Sequence, residues 1–365
     1  MIKIIQVASS HIMGLTNQEV NLAINYNTKK IDLLVLSGEN EQYPSLFLKL
    51  KKNKIKYNII YGLDEHKNFY KLIKNTYGII KKFKPEFITV NTNWQLVIFG
   101  IANLINKNSS KIIYTVHGFR HNSNYIISLI SRILIGVALI LFSYKVNCPT
   151  TYVANKFSFL KRKIEVIPLG EDAIFFNSSV DYKKIGNEYN ICFPGAFRHG
   201  KNQLELINVF EYFVNGNENI LSNLYLPGDG PLLEECKEYV KKRGLSDRIY
   251  FPGQLNRLEI LEIYEKCQIA VVPSNDETFG HCIVEPLIMG LIVVTKNIGV
   301  AQDVIVDKEN GFIYKSKAEL LNVLISIVKA DKNKLLEISK NGKITSRCFD
   351  WGQITNRHIH ELFNV

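Results

Sequence analysis

One stretch of the sequence decides the fold, because it joins a strand to a helix through a polar loop. It reads Val272-Pro-Ser-Asn-Asp-Glu277-Thr-Phe-Gly280-His-Cys-Ile-Val-Glu285-Pro-Leu-Ile-Met-Gly290. The apolar residues around Val272 predict a strand, and the spacing over residues 282–289 predicts a helix. Gly280 lies where the loop turns into that helix. A strand, a short loop and a helix in this order are typical of a βαβ unit in a parallel sheet.

Two glutamates stand eight positions apart in this stretch. Glu277 falls in the loop at the helix entrance, and Glu285 lies about two turns further along the helix. A carboxylate in the second place can hold a ribose diol by accepting two hydrogen bonds. Backbone N–H groups at the helix entrance can bind a pyrophosphate or a sugar hydroxyl. These N–H groups belong to Phe279, Gly280, His281 and Cys282.

Four other loops in the second half of the chain have compositions that suit a nucleotide. One carries two fixed cations at the head of a helix, which matches diphosphate charge, and others carry glycines that let a backbone approach a ligand. Each loop alone is a weak signal, and only their order along the chain adds weight. They are residues 194–202 with Arg198 and Lys201, 226–231 with Gly228 and Gly230, 250–254 with Phe251 and Gly253, and 299–312.

Apolar runs of strand length alternate with longer stretches of helical period along the whole chain. The predicted strands are 3–8, 31–36, 57–61, 86–91, 111–116, 164–170, 190–194, 223–227, 248–251, 269–273 and 292–295. The predicted helices are 19–26, 68–82, 94–105, 203–213, 231–242, 258–266 and 282–289. Two successive parallel units of similar size predict an α/β protein with two Rossmann-like, doubly wound domains that face each other across a cleft.

The domain boundaries follow from where this alternation is interrupted. We expect an N-terminal domain over residues 1–170, a linker over 171–186 and a C-terminal domain over 187–345. Residues 346–365 are expected to form a C-terminal helix that crosses back to the N-terminal domain.

Composition excludes several classes of protein. The chain has 365 residues, of which 46% are hydrophobic and 22% charged, with 6 Cys, 22 Gly and 10 Pro, so disordered, disulfide-stapled and collagenous chains are excluded. The net charge of +11 admits nucleic acid, an anionic membrane surface or an acidic small substrate as partner. The start of the chain lacks the apolar core of a secretory signal. The six cysteines are widely spaced, so we expect reduced thiols, a cytoplasmic protein and no metal site.

Two segments of the first half stand out. Residues 49–56 hold five lysines and no acid, which fits either a solvated face or an anionic surface. Residues 125–142 carry Arg132 as their single charge. A membrane span, a buried crossover helix and a helix lying on the membrane all remain open for that stretch.

The motifs over residues 193–312, taken in this order, resemble the donor domain of retaining glycosyltransferases of family 4, which have the GT-B fold. The resemblance implies that Glu277 contacts the donor sugar, Glu285 the ribose, and Lys201 the leaving diphosphate. The Arg of the family is displaced in this chain, and Arg198 is the candidate for its role. The looser resemblance of the first half implies a His at the cleft, which matches His117, and a first loop that ends at Gly14.

The expected function is therefore transfer of a sugar from a nucleotide sugar, a UDP- or GDP-sugar, to a glycan or lipid-linked acceptor with retained configuration. No metal and no cofactor beyond the donor substrate are expected, and nucleic acid is not an expected partner. The acceptor would belong to bacterial surface polysaccharide or lipopolysaccharide synthesis. The enzyme would then be peripheral at the inner face of the plasma membrane, with residues 49–56 and 125–142 in contact with anionic lipid. A nucleotide-sugar epimerase using His11 and Glu19, or a non-catalytic nucleotide-binding subunit, remains the alternative.

Overall fold

The structure, a computed structural model, describes residues 2–8, 13–29, 31–38, 44–61, 63, 68–107, 110–117, 125–180, 188–217 and 221–365. The chain forms two compact units. The first unit consists of Met1–Gly170 together with Trp351–Val365, and the second unit is Glu171–Asp350.

The first unit is built on a parallel sheet of seven strands in the order β3-β2-β1-β4-β5-β6-β7. In the centre of this sheet, Ile4 of β1 pairs with Leu33 of β2 on one side and with Phe87 of β4 on the other. The strands are β1 Ile2–Ala8, β2 Ile31–Ser37, β3 Lys56–Ile59, β4 Phe87–Val90, β5 Lys111–Thr115, β6 Lys145–Cys148 and β7 Ile164–Val166.

Helices cover both faces of this sheet, because successive side chains of a strand point to opposite faces. The helices are α1 Met13–Asn27, α2 Pro44–Lys52, α3 Phe69–Phe83, α4 Asn93–Ile105, α5 Tyr125–Phe142 and α6 Thr151–Lys156. Ile4 of β1 packs in a core with α1 and α2, whereas Ile5 packs in a second core with α3, α4 and α5. The helices α2 and α5 therefore lie on opposite faces of the sheet.

The second unit repeats this plan with six parallel strands in the order β10-β9-β8-β11-β12-β13. Its strands are β8 Ile191–Cys192, β9 Leu224–Tyr225, β10 Ile249–Tyr250, β11 Ile269–Val272, β12 Ile292–Thr295 and β13 Phe312–Ile313. Its helices are α7 Ala173–Phe176, α8 Gln203–Asn215, α9 Leu233–Lys242, α10 Arg257–Glu265, α11 His281–Met289, α12 Ala301–Val304, α13 Lys317–Lys329 and α14 Lys332–Thr345. The prediction of two Rossmann-like α/β domains is confirmed.

The C-terminal segment of the chain packs within the first unit. Helix α15 Trp351–Arg357 is followed by a π-helical turn at His358–Leu362. Phe363 packs against Phe87 of β4 and against Tyr26 of α1, with ring centroids 4.8 and 5.7 Å away. The Tyr26 hydroxyl is also 2.7 Å from Nδ1 of His358, so an apolar contact and a buried hydrogen bond both hold this segment.

The elements differ from the predictions at their ends and in several omissions. Helix α9 begins at Leu233, not at residue 231, because the N–H of Leu232 binds the carbonyl of Phe197 and Pro231 remains in the turn. The sequence predicted neither helix α2 nor strand β6, and it also did not predict the elements α6, α7, α12, α13, α14 and β13. Residues 171–180, assigned to a linker from the sequence, belong to the second unit and include α7, while 181–187 lie outside the described residues.

Two further expectations concern the cysteines and the apolar helix α5. All six cysteines lie in the described part of the chain and are free thiols, and five are buried. Among the helices of the described residues, none is long and apolar enough to cross a membrane.

Candidate functional site

In each sheet the strand order reverses at one point. The first sheet reverses between β1 and β4, and the second between β8 and β11. Open parallel sheets bind ligands at the carboxyl ends of the strands at such a switch point, because the loops there diverge and leave a crevice. These two points are therefore the places where the fold itself favours a site.

Lys201 and Glu277 meet at the switch point of the second unit. Lys201 lies in the loop after β8 and Glu277 in the loop after β11, and Nζ of Lys201 contacts a carboxylate oxygen of Glu277. The side chains are only 12% and 11% exposed. An ion pair this well shielded from water is held in a fixed geometry and interacts more strongly than one on an open surface.

Hydrogen bonds between the two loops hold this pair in place. The side-chain amide of Asn202 donates to the carbonyl of Pro273 and to Oδ1 of Asn275, each at 2.8 Å. The N–H of Asn275 donates to the carbonyl of Gly200, also at 2.8 Å. The loops after β8 and β11 therefore form one connected wall.

Helix α11 begins beside Glu277. Gly280 precedes its first residue with a φ of 105°, and no side chain caps this end of the helix. The first backbone N–H groups, which belong to His281 and Cys282, therefore lack a capping side chain and can serve an anion. Sγ of Cys282 is 3.8 Å from Oε1 of Glu277, which places the helix entrance against the ion pair.

Glu285 lies on α11 and is almost fully buried. One of its carboxylate oxygens contacts Nη1 of Arg257, and the other accepts a hydrogen bond from the Tyr264 hydroxyl at 2.9 Å. Burial raises the pKa of Glu285 to about 7, although Arg257 opposes this rise. Near neutral pH, the charge of this carboxylate therefore depends on the cation beside it.

Arg257 is shared with two further carboxylates. Its Nη2 is 3.0 Å from an oxygen of Glu171, and its Nε is 2.8 Å from an oxygen of Asp172. Glu171 is fully buried and also contacts Nδ1 of His281. Burial would lower the pKa of His281, but the Glu171 carboxylate outweighs this effect and raises it.

Sequence reasoning missed Arg257, Glu171 and Asp172. The first lies 28 residues before Glu285, and the other two fall in the segment assigned to a linker. A local signal was nevertheless present. Asn256 and Glu259 form a capping box, the N-terminal signature that places Arg257 at the first position of α10.

Glu171, His281 and Glu285 offer ligand atoms within 4.8 Å of one another, a separation that a metal ion could bridge. However, both carboxylates already accept hydrogen bonds from Arg257. A guanidinium between two acids supplies the positive charge that an ion would supply and repels a second cation. We therefore interpret this group as an ion-pair network.

Three further residues predicted for the donor site, Arg198, Phe251 and Phe279, have different environments. Arg198 is exposed and forms no ion pair with any residue that the structure describes. Phe251 packs 6.0 Å from the ring of Phe197, next to the open turn at Gly253. Phe279 is buried against His281, with ring centroids 5.1 Å apart.

The backbone conformation and the packing of the loop require glycine at both Gly228 and Gly230. Both have positive φ angles, 144° and 149°. A Cβ on Gly228 would lie 2.1 Å from the carbonyl oxygen of Gly195, and one on Gly230 would lie 2.4 Å from that of Phe197. The close approach that these glycines permit is therefore to the loop after β8, which they hold in place.

In the first unit, His117 lies two residues after β5 and contacts Asn91, which follows β4 at the switch point. Its Nε2 is 2.9 Å from Oδ1 of Asn91, and the Asn91 amide donates to the carbonyl of Val7 at 2.8 Å. His117 is thus linked through Asn91 to the end of β1. Gly14 lies in the first turn of α1, and His11 lies outside the described residues.

The second unit matches a known protein family. Residues 176–345 match the family model described as glycosyl transferases, group 1. This range covers nearly the whole unit, including the Lys201–Glu277 pair and α11. The second unit is therefore similar in sequence to group 1 glycosyl transferases.

Individual relatives are more distant. Alpha-monoglucosyldiacylglycerol synthase of Streptococcus pneumoniae is 22% identical over 308 residues, which cover 78% of this chain and 67% of that protein. The uncharacterized glycosyltransferase YqgM of Bacillus subtilis is 28% identical over 151 residues, 41% of each chain. This chain therefore spans about two thirds of the first relative and well under half of the second.

Solved structures confirm the fold over the full length. Anabaena Alr3699/HepE in complex with UDP superposes with a TM-score of 0.81 at 19% identity, and each chain is covered completely. The same Anabaena protein has been solved with UDP-glucose, with a TM-score of 0.79. At this identity the likeness establishes the GT-B fold.

Proposed function

We propose that this chain transfers a sugar from a nucleotide-diphosphate sugar to a hydroxyl of a glycan or lipid-linked acceptor and retains the anomeric configuration. The observation that carries the proposal is the shielded Lys201–Glu277 pair at the switch point of the group 1 domain. It joins a cation suited to a diphosphate with a carboxylate suited to sugar hydroxyls at the place where this fold binds ligands.

The chemistry follows from the charges that develop during transfer. The bond between the anomeric carbon and the diphosphate oxygen breaks, and its electron pair leaves with the diphosphate. Lys201, the first N–H groups of α11 and the exposed guanidinium of Arg198 would stabilise these oxygens. Glu277 would hold the sugar. The acceptor oxygen attacks from the face that the diphosphate leaves, and a diphosphate oxygen takes its proton.

Several finer points belong to the same proposal. Glu285 would accept hydrogen bonds from the ribose, and the donor would be a UDP- or GDP-sugar. Metal independence rests on Lys201 and the helix entrance as local positive charges. His117 would face the acceptor. The acceptor class we favour is a precursor of bacterial surface polysaccharide or lipopolysaccharide.

The experiment is a donor screen followed by an assay of the site. Purified protein is first tested for a thermal shift with UDP, GDP, UDP-glucose and GDP-mannose. Transfer and hydrolysis of the donor that shifts the melting temperature most are then compared in Lys201→Ala and Glu277→Ala. Both variants should lose most activity, and the proposal fails if both keep wild-type rates.

The second unit offers a matched control for these variants. Lys237 and Glu234 form an exposed ion pair 2.8 Å apart on α9. Lys237→Ala and Glu234→Ala remove the same chemical groups from a surface pair, which contributes little to stability. Both controls should keep wild-type activity. Product analysis without an acceptor separates an epimerase, which would convert the donor alone.

We also propose that α5 binds an anionic bilayer from one exposed face. Helix α5 buries Ala138 and Leu139 in the core, yet its other face exposes apolar side chains. These are Ile133, Leu134, Val137, Ile140 and Leu141, between 48% and 67% exposed. Phe159, which is 59% exposed, adds to this surface because its ring lies 3.5 Å from the position of a Cβ on Gly136.

Charge favours a lipid surface over a second protein as the occupant of this face. Lys161 and Arg162 lie two and three residues after Phe159 and are exposed, and α5 contains no acidic residue. Apolar side chains bordered by cations are typical of helices that lie on anionic membranes. The lysines of residues 49–56 are exposed too, but α2 packs on the opposite face of the sheet. A single flat bilayer therefore would not reach both surfaces, and we assign the contact to α5.

Co-sedimentation with vesicles of phosphatidylglycerol and phosphatidylcholine tests this contact. Leu141→Glu should weaken binding about tenfold or more, because it places a charge on the apolar face. The control is Leu48→Glu, which changes an equally exposed leucine on α2. The assignment to α5 is wrong if Leu141→Glu binds normally, or if it changes the oligomeric state of the protein instead. The corresponding location would be peripheral at the inner face of the plasma membrane.

A further inference from the structure

Charged and hydrogen-bonding side chains surround the buried carboxylate of Glu285. Glu285 contacts Arg257 and Tyr264 from α10. Arg257 also contacts Glu171 and Asp172 from the segment before α7, and Glu171 in turn contacts His281 of α11. Three acids thus converge on one guanidinium. Removing a single cation from such a buried group leaves carboxylates without a compensating charge.

The geometry of Arg257 is fixed by more than these ion pairs. Its guanidinium carbon lies 4.9 Å from the ring centroid of Phe175, and the capping box at Asn256 and Glu259 sets the start of α10. Nη1 contacts Glu285, Nη2 contacts Glu171 and Nε contacts Asp172, so every nitrogen of the fork has its own acceptor. A planar fork held on three sides can orient a carboxylate, which a flexible ammonium does less well.

We propose that Arg257 is the positioning residue of the donor site, which holds Glu285 ionised and oriented, while Glu171 opposes it by competing for the same guanidinium. The proposal concerns residues to which neither the sequence motifs nor the comparisons give a role. Its effect on donor binding rests on the proposed function, in which the ribose hydroxyls donate to Glu285.

The two neighbours shift the protonation of Glu285 in opposite directions. The positive charge of Arg257 favours the carboxylate and lowers the pKa of Glu285, whereas the negative charge of Glu171 raises it. Removal of Arg257 should therefore raise this pKa, and neutralisation of Glu171 should lower it. A purely structural role would give no shift of opposite sign in the two variants.

The test begins without any donor. The titration of Glu285 is followed by ¹³C NMR of protein labelled at the glutamate carboxyl carbon, and its signal is assigned by its loss in Glu285→Gln. We expect Arg257→Met to raise the midpoint by about one pH unit or more, Glu171→Gln to lower it, and Arg257→Lys to restore most of the wild-type value. The proposal is overturned if Arg257→Met leaves the midpoint unchanged.

Binding of UDP-glucose, measured by calorimetry from pH 6 to 9, extends the test to the donor. A carboxylate that accepts from a diol must be ionised, so affinity should rise with pH. The midpoint of this rise should lie at a higher pH in Arg257→Met and at a lower pH in Glu171→Gln. Shifted NMR midpoints without any binding of UDP-glucose or GDP-mannose would contradict the proposed function and leave the role of Arg257 in place. Binding in Arg257→Met that equals wild-type binding at every pH would overturn the positioning role.

Discussion

The two switch points have the same topology and different chemistry. In the second unit, Lys201 and Glu277 place opposite charges against an uncapped helix entrance. In the first unit, His117 and Asn91 form a hydrogen bond between an imidazole and an amide. The fold determines where the loops meet, and the side chains on those loops determine what can bind. Charged groups would suit the diphosphate of the proposed donor, whereas an imidazole and an amide would suit the hydroxyl of the proposed acceptor.

The largest effect should come from the charged switch point. Lys201→Ala and Glu277→Ala should lower kcat/KM for transfer by about 100-fold to 1000-fold, the usual loss when a group that stabilises developing charge is removed. Initial rates at fixed donor concentration measure this loss. Wild-type rates in both would remove the distinction between the two switch points.

A second prediction concerns the glycine turn beside the charged site. Gly228→Ala should reduce the stability of the second unit by about 3 kcal/mol, because its Cβ would strike the carbonyl of Gly195 in a strained backbone conformation. Gly244→Ala is the control, since Gly244 also has a positive φ but has open space around it. Thermal unfolding followed by calorimetry should show a clearly smaller loss for the control. Equal losses would mean that the close packing of Gly228 contributes nothing.

The first unit should be the more sensitive to acid. Burial, with a smaller effect of Arg357, lowers the pKa of His358 from 6.5 to about 3, and its Nδ1 lies beside the Tyr26 hydroxyl. The unfolded chain therefore binds a proton that the folded chain does not between pH 6.5 and 3. The contribution of His358 to the free energy of unfolding is fully present above pH 6.5. It should fall by about 1 kcal/mol per pH unit below that value.

Tryptophan fluorescence can measure this loss in the first unit alone, because the two tryptophans of the chain, Trp94 and Trp351, both belong to it. Urea unfolding at pH 7 and pH 5 gives the dependence on pH. His358→Gln cannot take up the proton and should reduce the slope. An equal slope in wild type and variant would exclude His358 as its source.

The smallest effect should come from the imidazole and its amide partner. His117→Ala and Asn91→Ala should each lower the rate of transfer about tenfold, with the KM for the donor unchanged, because both groups lie in the unit assigned to the acceptor. Steady-state kinetics with each substrate varied in turn tests this. A raised KM for the donor would show that His117 contributes to donor binding, which would contradict its assignment to the acceptor.

Much of the fold was predictable because strand and helix periods alternate clearly. Strand β12 and helix α5 have the predicted bounds. Helix α2 was missed because its lysines obscure the apolar residues Phe47 and Leu50 that pack in the core. Strand β6 was missed because it is short and contains Lys145 and the buried polar Asn147.

Only the site residues that belong to local sequence motifs could be predicted. Lys201, Glu277 and Glu285 stand in loops and a helix with recognisable local patterns. The ion-pair network around Arg257 depends on residues that are far apart in sequence and meet only after folding. No spacing rule connects Glu171 with a helix that begins 86 residues later.

A crystal structure of the chain with UDP, or with GDP if GDP gives the larger thermal shift, would test the central claim most directly. The account predicts diphosphate oxygens about 3 Å from Nζ of Lys201 and from the first N–H groups of α11, with the ribose hydroxyls on Glu285. A diphosphate bound away from the switch point between β8 and β11, with the Lys201–Glu277 contact intact and free of ligand, would contradict it.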